Sequence, residues 1–122
     1  MKTLLALFLL LTPALAHDHE HPENDEWLRS LTNQINGSCC DGSDALSIND
    51  PDWNTNDDPK TVEDWPYKVR LDGQWILVFK NNVVKQTNKL GIARVWPYKQ
   101  TDDQGSPVGP WIIRCFLPGS GA

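Results

Sequence analysis

The sequence predicts a small α+β fold that is mainly β. It consists of one N-terminal amphipathic helix packed on a small antiparallel sheet or partly open barrel of about four strands. Three observations lead to this prediction: apolar residues recur at helical spacing after residue 26, two strand-like runs flank Asp72-Gly73, and two further apolar runs follow. A chain of 122 residues has room for one such domain, and we place it at residues 24–122.

The first 16 residues have the pattern of a secretory signal peptide. Lys2 precedes an apolar run over residues 4–11, and Ala-Leu-Ala at 14–16 is a small-x-small cleavage site. The apolar run is too short for a stable membrane span, and we expect no transmembrane segment after cleavage. Residues 1–16 are therefore predicted to be removed, and the mature protein is predicted to be exported to the periplasm or secreted.

A flexible His-rich leader is predicted at residues 17–23, which read HDHEHPE. Cleavage after residue 16 would expose the α-amine of His17. That amine, the His17 imidazole and a nitrogen from His19 or His21 suit copper or another divalent metal. The competing interpretation is a solvated tail that binds no metal.

The helix is predicted over residues 24–36. Asn24 suits the N-cap, and two acids in the first turn suit the helix dipole. Gly37 suits the position at which a helix ends. One face carries the apolar residues Trp27, Leu28, Leu31 and Ile35. We therefore expect this face to cover a sheet.

Residues 41–64 are acidic and rich in turn-forming residues, with eight acids and a single base. This composition predicts a long surface loop with a short strand near residues 45–48. Asp50, Asp52 and Asn54 match the first half of a calcium-binding loop, but Thr55 and Thr61 replace its required Gly and Glu. A solvated acidic loop is the better interpretation.

A β-hairpin is predicted around Asp72-Gly73, a strong signal for a two-residue turn. The implied register places Arg70 opposite Trp75, which predicts a cation–π pair on the less buried face. One face carries the residues predicted to be core, which are Tyr67, Val69, Leu71, Ile76 and Val78. We predict that Arg70, Trp75 and Trp53 contribute to an interaction surface.

Two further strands are predicted at residues 92–98 and 111–117, with a loop at 101–110. Simple alternation places Cys115 on the same face as Trp111, Ile113 and Leu117. The sequence WPYK occurs at Trp65 and at Trp96. Its prolines predict that both copies lie at strand ends or at a sheet edge.

The three cysteines favour a structural disulfide. A bridge from Cys39 or Cys40 to Cys115 would join the helix to the sheet and close a loop of about 75 residues, worth roughly 4 kcal/mol. A strained Cys39–Cys40 ring remains an alternative. A catalytic thiol is disfavoured because every His lies in the leader, and zinc because adjacent cysteines are not a familiar ligand spacing. The sequence leaves open which of the paired cysteines bonds to Cys115.

Composition and missing motifs argue against several classes of partner and of enzyme. The formal charge of −5, without a basic stripe, argues against nucleic acids and anionic membranes as partners. There is no Gly-rich phosphate loop and no G-x-S-x-G motif, while six Trp suit an interface. We predict a non-enzymatic binding or envelope-interaction protein with an unknown protein or envelope partner. The alternatives are metal binding through the leader, and a cell-wall enzyme or an inhibitor of one.

The order of these motifs resembles a group of small exported alphaproteobacterial proteins of unknown function. The most specific shared stretches are Cys39-Cys40-Asp41-Gly42, Val95-Trp96-Pro97-Tyr98 and Arg114-Cys115-Phe116. The resemblance implies export and a framework of paired cysteines with a third one downstream. It brings no catalytic residues.

Overall fold

The computed structural model describes residues 22–39 and 45–120. The predicted signal peptide, the three leader histidines and Cys40 lie outside these ranges. Within them the chain forms one α-helix, six strands and three single 3-10 turns. The α-helix and strands are α1 (Asp25–Arg29), β1 (Leu46–Ile48), β2 (Trp53–Thr55), β3 (Tyr67–Leu71), β4 (Gln74–Val78), β5 (Ala93–Thr101) and β6 (Pro107–Leu117).

The described strands form two three-stranded antiparallel sheets, in the orders β1-β5-β6 and β2-β3-β4. The mainly β prediction is thus confirmed, but two sheets replace the single sheet or partly open barrel of about four strands. Each sheet is a hairpin extended by one short strand, β1 or β2, and the sheets are separate because β4 pairs with neither β5 nor β6. β2 lies within the acidic region that was predicted to be mostly loop.

The β1-β5-β6 sheet is covered on both faces. One face packs against α1 and the turn after it through the helix-side core, and the other faces β2-β3-β4 through the inter-sheet core. The buried residues of the helix-side core are Leu28, Leu31, Cys39, Ala45, Val84, Trp96, Cys115 and Leu117. Those of the inter-sheet core are Ile48, Val69, Leu71, Val78, Ala93, Val95, Ile113 and Phe116. The layers therefore follow the order helix, sheet, sheet.

The helix is much shorter than predicted. It ends at Arg29 rather than residue 36, and in the described part of the chain no helix is long and apolar enough to span a membrane. Asn33 explains the early end, because its side-chain oxygen accepts hydrogen bonds from the backbone N–H groups of Ile35 (3.1 Å) and Gly37 (2.8 Å). An Asn side chain that bonds to nearby backbone competes with helical hydrogen bonds.

The early end of the helix also changes which apolar residues pack. Leu28 and Leu31 are fully buried in the helix-side core, as the helical spacing predicted. Ile35 is 64% exposed, because it lies in the turn after the helix rather than on its buried face. The N-terminal segment therefore covers the sheet with one helical turn and a loop.

The predicted hairpin is confirmed in turn and register. Asp72 and Gly73 have φ of 52° and 78°, the left-handed pair that a type I′ turn requires. Val69 pairs with Ile76 and Arg70 with Trp75, as the sequence predicted. A two-residue turn fixes the register because the residues on either side of it must pair with each other.

β6 contains an irregularity that overturns the predicted face of Ile113. Trp96 pairs with Cys115, but Pro97 pairs with Ile113, so Arg114 is an extra residue in β6. A β-bulge of this kind exchanges the two faces of a strand beyond it. Cys115 accordingly lies in the helix-side core and Ile113 in the inter-sheet core. Pro97 is buried inside β5 beside this bulge, rather than at a strand end.

Candidate binding surface

The disulfide joins Cys39 to Cys115, with a Cα–Cα distance of 5.5 Å. Both residues are fully buried in the helix-side core. The structure thus confirms a bridge from the cysteine pair to Cys115 and identifies Cys39 as the partner. A cystine enclosed in apolar surroundings serves as a structural link rather than as a reactive centre.

The described residues contain no group of three or more His, Cys, Asp or Glu side chains arranged to hold a metal ion. Within the partial calcium motif, Asp52 is instead bound by Arg70, whose Nε and Nη2 donate to its Oδ1 at 3.0 and 2.6 Å. The histidines proposed for copper lie outside the described residues. Metal binding through the leader therefore stays a prediction from sequence.

One surface lies on the outer side of the β2-β3-β4 sheet, and we call it the β4 face: Lys68, Arg70, Trp75 and Leu77. Trp75 and Leu77 are 44% and 40% exposed. The Lys68 ammonium and the Arg70 guanidinium lie 5.0 and 5.2 Å from the centroid of the Trp75 ring. The predicted Arg70–Trp75 pair is confirmed, and Lys68 adds a second cation that the hairpin register also brings there.

Trp53 does not belong to this face, contrary to the predicted grouping with Arg70 and Trp75. It pairs with Val69 across β2 and β3 and therefore points toward the inter-sheet core. Its ring lies 6.2 Å from Tyr67 and 5.6 Å from Phe116. The sequence did not reveal this because β2 itself was not predicted.

A groove of about 460 Å³ runs between β4 and β6 beside the β4 face. Leu77 belongs to both, so the β4 face and the groove form one continuous surface. The residues that line the groove are Trp65, Ile76, Leu77, Phe79, Asn82, Trp111, Ile112 and Ile113. Trp111 Nε1 donates to Asp72 Oδ2 at 2.8 Å and so ties β6 to the β3–β4 turn. This hydrogen bond holds the two walls of the groove together.

The cations near this surface have different partners. Lys80 forms a 2.8 Å ion pair with Asp64, and the hydrogen bond and charge of Asp64 raise the pKa of Lys80. The Lys99 ammonium lies 4.7 Å from the centroid of Trp111 in the groove wall. Lys68 and Lys99 form no ion pair with any described residue. Two cations stacked on indoles thus have no carboxylate partner in the described part of the chain and could meet carboxylates of a ligand.

The segment after β2 positions Trp65 at the groove through one buried side chain. Asn56 is only 6% exposed. Its Nδ2 donates to Thr61 Oγ1 (2.9 Å) and to the carbonyl of Trp65 (2.8 Å), and its Oδ1 accepts from the N–H of Asp58 (3.1 Å). This part of the acidic region is thus an organised loop around Asn56, and Trp65 in turn packs edge-on against Phe79 at 4.9 Å.

We expect Asn56→Ala to lower the free energy of unfolding by about 2 kcal/mol, since it removes three hydrogen bonds made by a buried side chain. Urea denaturation followed by Trp fluorescence measures this loss. Asn54→Ala is the matched control, because Asn54 is exposed two residues away, and it should change stability by less than about 0.5 kcal/mol. Equal losses for the two variants would contradict the role assigned to Asn56.

Comparison of the chain with protein-family models, with curated proteins and with solved structures gives no significant match. The functional argument therefore rests on the geometry of the β4 face and the groove.

Proposed function

We propose that this protein is an exported, non-enzymatic binding module that recognises a protein partner of the cell envelope through the β4 face and the adjoining groove. One observation carries the proposal: Trp75 and Leu77 are exposed on an edge strand and continue into an apolar groove. Contiguous exposed apolar surface of this kind is typical of protein interaction sites. Aromatic residues are especially common in them.

The chemistry of the groove supports binding rather than catalysis. None of the described residues that line it is an acid, a histidine or a cysteine. Asn82 contributes a side-chain amide to the groove, and this amide donates to the carbonyl of Ile113 at 2.9 Å. Such a lining offers contact area and few groups for proton transfer.

The cellular location belongs to the same proposal. A disulfide is compatible with an oxidising compartment outside the cytoplasm. The Cys39–Cys115 bridge also fits the paired-cysteine framework of the small exported proteins that the sequence resembles. Export through the predicted signal peptide would bring the binding surface into contact with envelope proteins.

A peptide selection tests the proposed binding surface. Peptides selected from a random display library on the mature protein should lose about 30-fold in affinity for the Trp75→Ala variant, the effect of a central aromatic contact. Leu77→Ala should also weaken them, whereas Leu46→Ala should not. Leu46 is a matched control because it is 45% exposed on the edge strand β1 of the other sheet.

Two outcomes would overturn the proposal. The first is a selection whose peptides bind wild-type and Trp75→Ala protein equally well. The second is turnover of peptidoglycan by the purified protein, which would favour the cell-wall enzyme alternative. Inhibition of lysozyme that depends on Trp75 would instead identify one kind of partner for the proposed surface.

A further inference from the structure

We infer that the ligand of this surface is an extended acidic peptide segment that adds a fourth strand to the free edge of β4. The inference rests on the proposed function and specifies its partner. Three features of the described residues carry it: the unpaired edge of β4, the groove beside that edge, and the cations stacked on Trp75 and Trp111.

The edge of β4 offers backbone groups for strand addition. β4 pairs with β3 on one side and is the last strand of its sheet on the other. In a hairpin closed by a two-residue turn, the pair next to the turn exchanges hydrogen bonds, and alternate pairs after it do not. The Arg70–Trp75 and Lys68–Leu77 pairs are therefore the non-bonded ones. The N–H and C=O groups of Trp75 and Leu77 thus point away from β3.

The groove provides sites for alternate side chains of an added strand. Side chains of successive residues in a strand project to opposite faces of the sheet. One set would lie beside Trp75 and Leu77 on the β4 face, and the other would enter the groove beside Ile76, near Trp111 and Ile112. The second set should be apolar, because that groove is lined by indole, phenyl and aliphatic groups.

Charge selects the kind of peptide. Although the whole chain carries −5, Lys68 and Arg70 lie on the β4 face, and Lys99 is stacked on Trp111, a residue that lines the groove. Lys68 and Lys99 form no ion pair with a described residue, so they can receive carboxylates of a ligand. A peptide that alternates acidic with apolar residues matches both the cations and the groove.

A second copy of the protein would match this surface less well. Pairing of two β4 strands would bring a second Lys68 to the shared face, and Lys68 has no carboxylate partner among the described residues. Like charges close to one another disfavour association. We therefore assign the edge to a different chain with acidic residues.

The experiment uses the peptides whose binding depends on Trp75, obtained by the selection described above. They should be enriched in Asp and Glu at alternate positions. Each is resynthesised in two forms, N-methylated on either of the two alternating sets of amides. An added strand donates to β4 from only one set, so one form should bind like the parent and the other about tenfold more weakly.

Two variants of Leu77 test whether its outward N–H donates a hydrogen bond to an added strand. Leu77→Pro removes the outward N–H, and Leu77→Ala keeps it, so the proline variant should bind about tenfold more weakly than the alanine variant. Proline is tolerated at an edge position whose N–H faces outward. Near-ultraviolet circular dichroism establishes that each variant is folded, and the N-methylated peptides give a test that needs no variant.

The outcomes separate this inference from the proposed function. Trp75-dependent peptides that bind equally in both N-methylated forms, or that lack acidic residues, would overturn strand addition by an acidic segment and leave the binding surface intact. Failure to obtain any Trp75-dependent peptide would overturn the proposed function itself. A dimer that dissociates in Leu77→Pro would assign the edge to a second copy and overturn the inference.

Discussion

Loss of the Cys39–Cys115 disulfide is expected to lower the free energy of unfolding by roughly 4 kcal/mol. The two cysteines are separated by 76 positions in the sequence, so the bridge restricts most of the unfolded chain. The clean comparison is a Cys40→Ser protein against the same protein with Cys39→Ala and Cys115→Ala. Urea denaturation of both at equal protein concentration measures the difference.

The Cys40→Ser background has a specific purpose. It removes the third thiol, so that Cys40 cannot form a replacement bridge with Cys115 in a variant that lacks Cys39. Cys40→Ser alone should retain the stability of the parent, because it leaves the Cys39–Cys115 bond unchanged. A loss below about 0.5 kcal/mol on removal of that bond, the size of an ordinary surface effect, would contradict the structural role.

The disulfide adds a covalent link to an N-terminal segment that is otherwise held by packing and by hydrogen bonds, among them those from Gln34 N–H to the carbonyl of Asn81 and from Lys85 N–H to the carbonyl of Thr32. α1 has only five residues, and helices of that length are not stable on their own. Leu28 and Leu31 bury their side chains, and Cys39 then fixes the end of the segment to β6. Without the bridge, this segment loses its covalent link to β6, and hydrogen exchange should show faster exchange of its amides.

Features encoded by adjacent residues were predictable from the sequence. The Asp72-Gly73 turn determines the β3–β4 register, and that register in turn produces the Arg70–Trp75 cation–π pair. Likewise, the helical spacing of Leu28 and Leu31 correctly indicated burial. Each of these features depends on turn chemistry or on a short periodic pattern, which a few neighbouring residues contain.

Features that depend on distant residues were not predictable in the same way. The extra residue Arg114 in β6 places Cys115 and Ile113 on opposite faces of the strand. Nothing in the local sequence indicates where such a bulge will lie. β2 is three residues in an acidic, proline-containing stretch, and it is a strand only because β3 is beside it. Because of that pairing, the Trp53 side chain lies on the inner face of the β2-β3-β4 sheet.

The candidate site likewise combines a feature set by neighbouring residues, which the sequence predicted, with one set by distant residues, which it did not. The sequence indicated an interaction surface at Arg70 and Trp75, which belong to one hairpin. The groove was missed because its walls come from β4 and β6, which are distant in sequence and meet only in the folded chain. An excess of Trp was the one available signal, and it could not show that Trp65 and Trp111 line the same groove.

Phe116→Ala is expected to lower the free energy of unfolding by about 3–5 kcal/mol, the cost of emptying a large aromatic site. Phe116 is fully buried between the sheets, and its ring centroid lies 5.6 Å from that of Trp53 and 5.4 Å from that of Tyr67. Urea denaturation gives the loss. Phe79→Ala is the control, since Phe79 is only partly buried at the groove and should cost less.

Phe116→Ala also distinguishes the inter-sheet core from the binding surface. Phe116 packs on the inner side of the β2-β3-β4 sheet, whereas Trp75 lies on the outer side of that sheet. Under conditions in which Phe116→Ala remains folded, it should therefore bind Trp75-dependent peptides almost as well as wild type. Phe79→Ala should show the opposite pattern, with a small loss of stability and weaker binding, because Phe79 lines the groove. If both variants lost stability and binding in proportion, the separation between core and binding surface would be wrong.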